Sequence, residues 1–122
     1  PRGADGEPLK LYDWETGTIN AEVAEAWKAY DIRLILEANW KQLAPELAGK
    51  IHVFMGDQDT FYLNGATQLL KQTLEQLDAD AVVEIHQGRD HSNLLSRELM
   101  LRIRAEMVQA FLKYQAEIQP AE

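Results

Sequence analysis

Two short apolar segments separated by a helical pattern constrain the fold of this chain more than any other feature. Residues 51–55 read Ile-His-Val-Phe-Met, residues 81–86 read Ala-Val-Val-Glu-Ile-His, and leucines at helical spacing lie between them. Short apolar runs flanked by loops are typical of strands that a parallel sheet buries on both faces. Strands that are connected through a crossover helix lie parallel to each other. We therefore predict an α/β fold with two parallel strands and flanking helices.

The sequence around this strand–helix–strand segment predicts a loop and further helices. Residues 1–18 are rich in glycine, proline and polar groups, which favours an N-terminal arm or loop. Residues 19–45 carry apolar side chains at helical spacing, and Asp31 is placed to cap a second helix there. Residues 46–122 give the strand, helix, strand and a long final helix. The apolar face of that helix includes Leu95, Leu99, Met107 and Phe111.

Two strands alone are too few for a stable sheet. A parallel sheet needs both faces covered, and its unpaired edges attract further strands. We therefore expect missing sequence or a partner chain to complete the sheet. If the chain folds alone, we expect it to form a homo-oligomer.

Composition and charge limit the partners of the chain. The 122 residues are 46% hydrophobic and 26% charged, which is the composition of a globular domain that buries a core. The formal net charge is −8, and a field of that sign repels phosphate backbones and anionic lipids. We therefore expect neither nucleic acid nor a membrane as a partner. The lack of cysteines excludes disulfides, thiolate metal sites and a cysteine nucleophile, and no motif indicates a cofactor.

Titratable side chains follow both predicted strands. Asp57 and Asp59 come after the first strand, and Asp90 and His91 come after the second. Reactive groups of open α/β sheets lie on loops at the carboxyl ends of the strands, and adjacent parallel strands bring two such loops together. A carboxylate on one loop and an imidazole on the other form the acid–base half of a Ser-His-Asp device.

Two short motifs give this arrangement a family resemblance. Gly56-x-x-Asp59 resembles the acid turn of the α/β-hydrolases, and Gly88-x-x-His91 resembles their histidine loop, in the chain order of that family. The phrase Gly-Asp-Gln-Asp-Thr-Phe-Tyr-Leu at 56–63 looks closest to the esterase branch, which includes S-formylglutathione hydrolase and feruloyl esterases. The resemblance covers roughly residues 45–115. It implies that Asp59 is the catalytic acid, that His91 is the base, and that the substrate is a small-molecule ester or thioester.

The chain departs from this family in one important respect. The nucleophile motif Gly-x-Ser-x-Gly is absent, and the only serines, Ser92 and Ser96, follow the histidine. The resemblance therefore implies a C-terminal fragment of an α/β-hydrolase fold, which supplies the triad acid and histidine and is inactive alone. Residues 19–45 precede the acid strand, where this family often carries cap insertions.

Several alternatives stay open at this point. Asp57 and Asp90 are rivals of Asp59 for the contact with the histidine. A metal site is disfavoured, because His52 and His86 lie within predicted strands and no helical ligand pair occurs. A second functional hypothesis is a non-catalytic, self-associating α/β module that kept these loops without their chemistry.

Overall fold

A computed structural model of the chain describes residues 1–118. The residues after Ile118, which belong to the predicted segment 46–122, lie outside the described residues. The helices are α1 (Ala21–Trp27), α2 (Ile32–Leu47), α3 (Leu63–Gln76) and α4 (Arg97–Ile118), and the strands are β1 (Ile51–Gly56) and β2 (Ala81–His86). A short 3₁₀ turn, Lys28–Tyr30, connects α1 to α2.

The two strands pair with each other in a parallel sheet. Before both strands, the Gly49 N–H donates to the Asp80 carbonyl; after both, the Asp57 N–H donates to the His86 carbonyl. Hydrogen bonds in this order require the strands to run in the same direction. The prediction of an α/β fold with two parallel strands and flanking helices is confirmed. Within residues 1–118 no third strand joins this sheet.

The described chain divides into two compact units. The first comprises Pro1–His52 and Leu69–Val82, and the second comprises Val53–Gln68 and the residues from Val83 onward. The division falls within β1, α3 and β2, so each of these elements contributes residues to both units. The units therefore alternate along the chain. The division of the chain into segments 1–18, 19–45 and 46–122 stays a prediction.

In the first unit, turns precede two capped helices. Residues 1–20 contain isolated antiparallel bridges, one between Arg2 and Pro8 and one between Tyr12 and Ile19. The Asn20 side chain caps α1, and Asp31 caps α2 by accepting the Leu34 N–H at 3.2 Å, as the sequence predicts. The core of this unit includes Val23, Leu36 and Leu74.

In the second unit, the first turn of α4 is fixed by a cap and a buried leucine. The Ser96 hydroxyl oxygen accepts the Leu99 N–H at 3.2 Å, and Leu99 is buried. The prediction that Leu95 lies on the apolar face of this helix is wrong, because α4 begins at Arg97. Leu95 precedes the capping residue, outside the helix, and is 63% exposed.

Farther along α4, apolar side chains stay more than half exposed; these are Leu101, Met107, Val108, Phe111 and Leu112.

Candidate acid–histidine site

The turn that follows β1 is organised around the carboxylate of Asp59. Its Oδ2 atom accepts the Phe61 N–H at 3.0 Å and the Leu63 N–H at 3.1 Å. Its backbone carbonyl accepts the Tyr62 N–H at 3.1 Å. Tyr62 adopts a φ of +59°, a conformation that bulky residues rarely take and that the surrounding hydrogen bonds must hold. The carboxylate therefore fixes both the turn and the first residue of α3.

The loop that follows β2 is bound to this turn by main-chain contacts. The Gln58 N–H donates to the Arg89 carbonyl at 2.9 Å, and the Gly88 N–H donates to the Asp57 carboxylate at 2.7 Å. Gly56, at the end of β1, lies directly against the Arg89 carbonyl group, and a Cβ atom there would overlap it. These contacts set the distance between the acid turn and the histidine loop.

Asp59 and His91 meet where these two loops converge. The Nδ1 atom of His91 lies 2.9 Å from Oδ1 of Asp59, which is the distance of a hydrogen bond. The Asp59 side chain is 1% exposed, whereas the His91 side chain is 54% exposed. Because an ionised carboxylate only accepts hydrogen bonds, Nδ1 carries the proton of this pair. The acid is therefore enclosed and the base is open to solvent.

The two rival carboxylates are engaged elsewhere. The Asp57 carboxylate accepts the Gly88 N–H, as described above. The Asp90 carboxylate accepts the backbone N–H groups of Ser92 and Asn93, and its Oδ1 accepts the Ser92 hydroxyl at 2.6 Å. The predicted contact of His91 with Asp59, rather than with Asp57 or Asp90, is present. The catalytic role of the pair stays a prediction.

Opposing effects act on the pKa of Asp59. Burial of the carboxyl group disfavours its charged form and raises the pKa. The Leu63 N–H, the His91 side chain and the Phe61 N–H all donate hydrogen bonds that favour the charged form, and the charge of a protonated His91 adds to them. The hydrogen bonds prevail, so the pKa of Asp59 lies below its ordinary value. Asp59 is therefore ionised at neutral pH and can orient the imidazole.

The remaining surroundings of His91 are aromatic on one side and open on another. The Phe61 ring lies 4.7 Å from the imidazole, centroid to centroid, at an interplanar angle of 84°. Within residues 1–118, the His91 ring is hydrogen-bonded through Nδ1 and no hydrogen bond occupies its Nε2 atom. This atom is the one that carries a proton to and from a nucleophile in a triad, because Nδ1 is bound to the acid.

Neither serine of the chain is arranged as a nucleophile. The Ser92 hydroxyl donates to Asp90, and the Ser96 hydroxyl oxygen caps α4. An activated serine requires a hydrogen bond to its base, and neither of these serines has one with His91. The site within the described residues therefore consists of an acid and a base.

A second group of charged residues in the same unit is centred on Arg102. Arg102 binds Glu84 at 2.6 Å and Glu106 at 3.4 Å and lies over the Phe54 ring. The hydrogen bond with Glu84 is the main cause that raises the pKa of Arg102. Arg102 borders a cavity of about 200 Å³, which is also lined by Glu98 and by His86, Arg89, Leu94, Ser96 and Leu99. Within this group, the charge of Arg102 is therefore met by the carboxylates of Glu84 and Glu106.

The sequence reasoning missed two parts of this site. It did not anticipate the ring contact of Phe61 with His91 or the close approach of Gly56 to Arg89. The available signal for the first was an aromatic residue two positions after the acid. The signal for the second was a glycine at the end of a buried strand, which often marks close backbone approach.

Comparison of the chain with protein-family models, with curated proteins and with solved structures found no match. Among residues 1–118, no group of three or more histidine, aspartate or glutamate side chains is placed to hold a metal ion. None of the helices in this part of the chain is both long and apolar enough to cross a lipid bilayer.

Proposed function

We propose that this chain supplies the acid and the histidine of a serine hydrolase that cleaves carboxylic esters or thioesters. In this proposal it is the C-terminal part of an α/β-hydrolase of the esterase type, and the nucleophilic serine comes from sequence outside the chain. The observation that carries the proposal is the hydrogen bond between Asp59 and His91, which joins two loops at the carboxyl ends of parallel strands. Parallel strands bring an acid and a base together in this way in such enzymes.

The chemistry of the proposal assigns a distinct task to each atom of the pair. The Nε2 atom of His91 takes the proton from the serine hydroxyl while the serine oxygen attacks the carbonyl carbon of the substrate. The imidazolium then gives this proton to the leaving alcohol or thiol, and an acyl-serine forms. In the second half, Nε2 takes a proton from water, the resulting hydroxide attacks the acyl carbon, and the serine leaves with the proton. Asp59 stays ionised throughout and holds the imidazole by Nδ1.

The uneven exposure of the pair supports these roles. The acid is enclosed and held by two backbone N–H groups, which favours a fixed orientation and a stable negative charge. The side chain of the base is 54% exposed and its hydrogen bond to the acid is made through Nδ1, which leaves Nε2 for a serine. A histidine that only stabilises a loop has no need of an open second nitrogen.

The test begins with the gene upstream of the codon for Pro1. The proposal expects an in-frame Gly-x-Ser-x-Gly sequence there, and the longer protein should hydrolyse p-nitrophenyl acetate. His91→Ala in that protein should lower kcat/KM by about 10⁴-fold or more, and Asp59→Asn by about 10⁴-fold. His52→Ala is the matched control, because this exposed histidine of β1 lies in the first unit. Hydrolysis that is unaffected by His91→Ala would exclude the proposed role.

One observation favours a second candidate, a non-catalytic and self-associating α/β module. In the described part of the chain no serine hydroxyl is hydrogen-bonded to His91, and α4 exposes an apolar face. Faces of this kind mark interaction sites, and a second copy of the chain is the partner of this candidate. Light scattering at micromolar concentration tests it. A dimer that Phe111→Glu converts to a monomer supports self-association, and a monomeric wild-type chain contradicts it.

A further inference from the structure

The contact between Phe61 and His91 has the geometry of a specific aromatic pair. The centroid separation of 4.7 Å and the angle of 84° match the edge-to-face arrangement that aromatic rings prefer. Phe61 is nevertheless 65% exposed, so burial in a core does not explain its position. Its side chain is held beside the imidazole although most of its surface faces solvent.

The same residue also contacts the acid through its main chain. The Phe61 N–H donates to Oδ2 of Asp59 at 3.0 Å, while His91 binds Oδ1 of the same carboxylate at 2.9 Å. Phe61 therefore contacts the acid with its backbone and the base with its ring. The next residue, Tyr62, has a φ of +59° and returns its N–H to the Asp59 carbonyl. This strained turn fixes the direction in which residue 61 points.

An exposed histidine with one hydrogen bond needs a second contact to stay in place. The His91 side chain is 54% exposed, and a single bond through Nδ1 leaves rotation of the ring about its side-chain torsions open. A ring packed edge-to-face against the imidazole restricts that rotation.

We infer that Phe61 is a positioning residue, whose ring holds His91 in the orientation that binds Nδ1 to Asp59 and presents Nε2. The catalytic meaning of this role rests on the proposed function, but the orientation itself is a property of the chain alone. An aromatic contact of this kind favours the bound orientation by about two- to tenfold in population. Without the ring, the imidazole samples orientations in which Nδ1 leaves the carboxylate.

The orientation can be measured on this chain by nitrogen-15 NMR of the imidazole. The nitrogen-15 chemical shifts show which ring nitrogen carries the proton, so the neutral imidazole of the wild-type chain should show Nδ1 protonated and Nε2 unprotonated. Phe61→Ala should lower the ratio of the Nδ1–H to the Nε2–H form by about two- to tenfold. Phe61→Leu, which keeps an apolar side chain of similar size, should give an intermediate ratio. Phe61→Tyr, which keeps the aromatic ring, should retain the wild-type ratio.

The control is Tyr62→Asn, which removes the neighbouring exposed aromatic side chain at a left-handed position that asparagine tolerates. It should leave the ratio unchanged. An unaltered ratio in Phe61→Ala, with the amide spectrum of a folded chain, would overturn the inference. A wild-type chain without Nδ1 protonation would overturn it as well, because the orientation would be absent. If Phe61→Ala unfolds, the comparison of Phe61→Leu with Phe61→Tyr tests the inference instead. Equal ratios of the Nδ1–H to the Nε2–H form in these two variants would contradict a role for the aromatic ring.

The outcome is separable from that of the proposed function. Because no substrate or nucleophile takes part in the NMR experiment, the inference can fail while the longer protein is still an esterase. In an active longer protein, Phe61→Ala should lower kcat by about two- to tenfold and leave KM unchanged, since the ring acts on the base. A change confined to KM would indicate contact with substrate and contradict a positioning role.

Discussion

Gly56 lies so close to Arg89 that any larger residue at position 56 would overlap the Arg89 carbonyl group. Gly56 is the last residue of β1, and Arg89 lies two residues before His91. The same Arg89 carbonyl accepts the Gln58 N–H from the acid turn. This contact therefore determines how closely the histidine loop approaches the carboxylate of Asp59.

Gly56→Ala should destabilise the chain and separate the two loops. The added Cβ atom meets backbone rather than a flexible side chain, so relief requires a shift of the loop, and overpacking of this kind typically costs about 1–3 kcal/mol. Urea unfolding measures the free energy, and the imidazole nitrogen-15 spectrum reports the loss of the Asp59 contact. The matched control is Gly65→Ala, which lies in α3 with open space around its Cβ position. It should be neutral or stabilise the chain by up to about 1 kcal/mol. Equal effects of the two variants would contradict the close approach.

Asp59 should make the stability of the chain fall in acid. Its folded pKa lies below the unfolded value, so the unfolded chain binds more protons between the two values, and stability rises with pH there. The contribution of Asp59 to the free energy of unfolding is complete above its unfolded pKa of about 3.9, and it is lost as the pH falls through the folded pKa. Asp13 and Asp90, whose pKa values are also lowered by local hydrogen bonds, act in the same direction.

Urea midpoints measured across the acid range test this expectation. The asparagine of Asp59→Asn cannot titrate, so the urea midpoints of this variant should depend less steeply on pH than those of the wild type. The pH dependence that remains should come in part from Asp13 and Asp90. Identical slopes for the wild type and Asp59→Asn would show that the carboxylate does not gain its hydrogen bonds on folding.

The chain by itself should not turn over p-nitrophenyl acetate through a serine. The Ser92 hydroxyl is bound to Asp90 and the Ser96 oxygen is the cap of α4, so neither is activated by His91. Any hydrolysis should be slow, and Ser92→Ala should leave it unchanged. A burst of nitrophenol with an acyl adduct on Ser92 or Ser96 would contradict this prediction.

The pairing of Asp59 with His91 was within reach of the sequence because it depends on topology. Two apolar runs joined through one helix must lie parallel, and parallel strands bring the loops at their carboxyl ends together. The choice of Asp59 over Asp57 and Asp90 came from the resemblance of Gly56-x-x-Asp59 to the acid turn of the α/β-hydrolases. Asp31 could be assigned as a helix cap from its place before an apolar periodic segment.

The features that escaped prediction depend on loop geometry rather than on pattern. The contact of Phe61 with His91 requires the left-handed backbone of Tyr62, which residue type alone does not indicate. The start of α4 was misjudged because the Ser96 cap places Leu95 outside the helix, while Leu95 still matches the apolar spacing. Such features arise from hydrogen bonds between a few side chains and the main chain, and hydrophobic periodicity contains no information about them.

The central claim is that His91, held by Asp59, activates a serine encoded upstream of Pro1. The most direct measurement is the rate at which the longer protein reacts with a fluorophosphonate, with the labelled residue identified by mass spectrometry. We expect one labelled serine within Gly-x-Ser-x-Gly and a labelling rate that His91→Ala lowers by about 10²–10⁴-fold and that His52→Ala leaves unchanged. An upstream sequence without such a serine, or a labelled serine that reacts equally fast in His91→Ala, would contradict it.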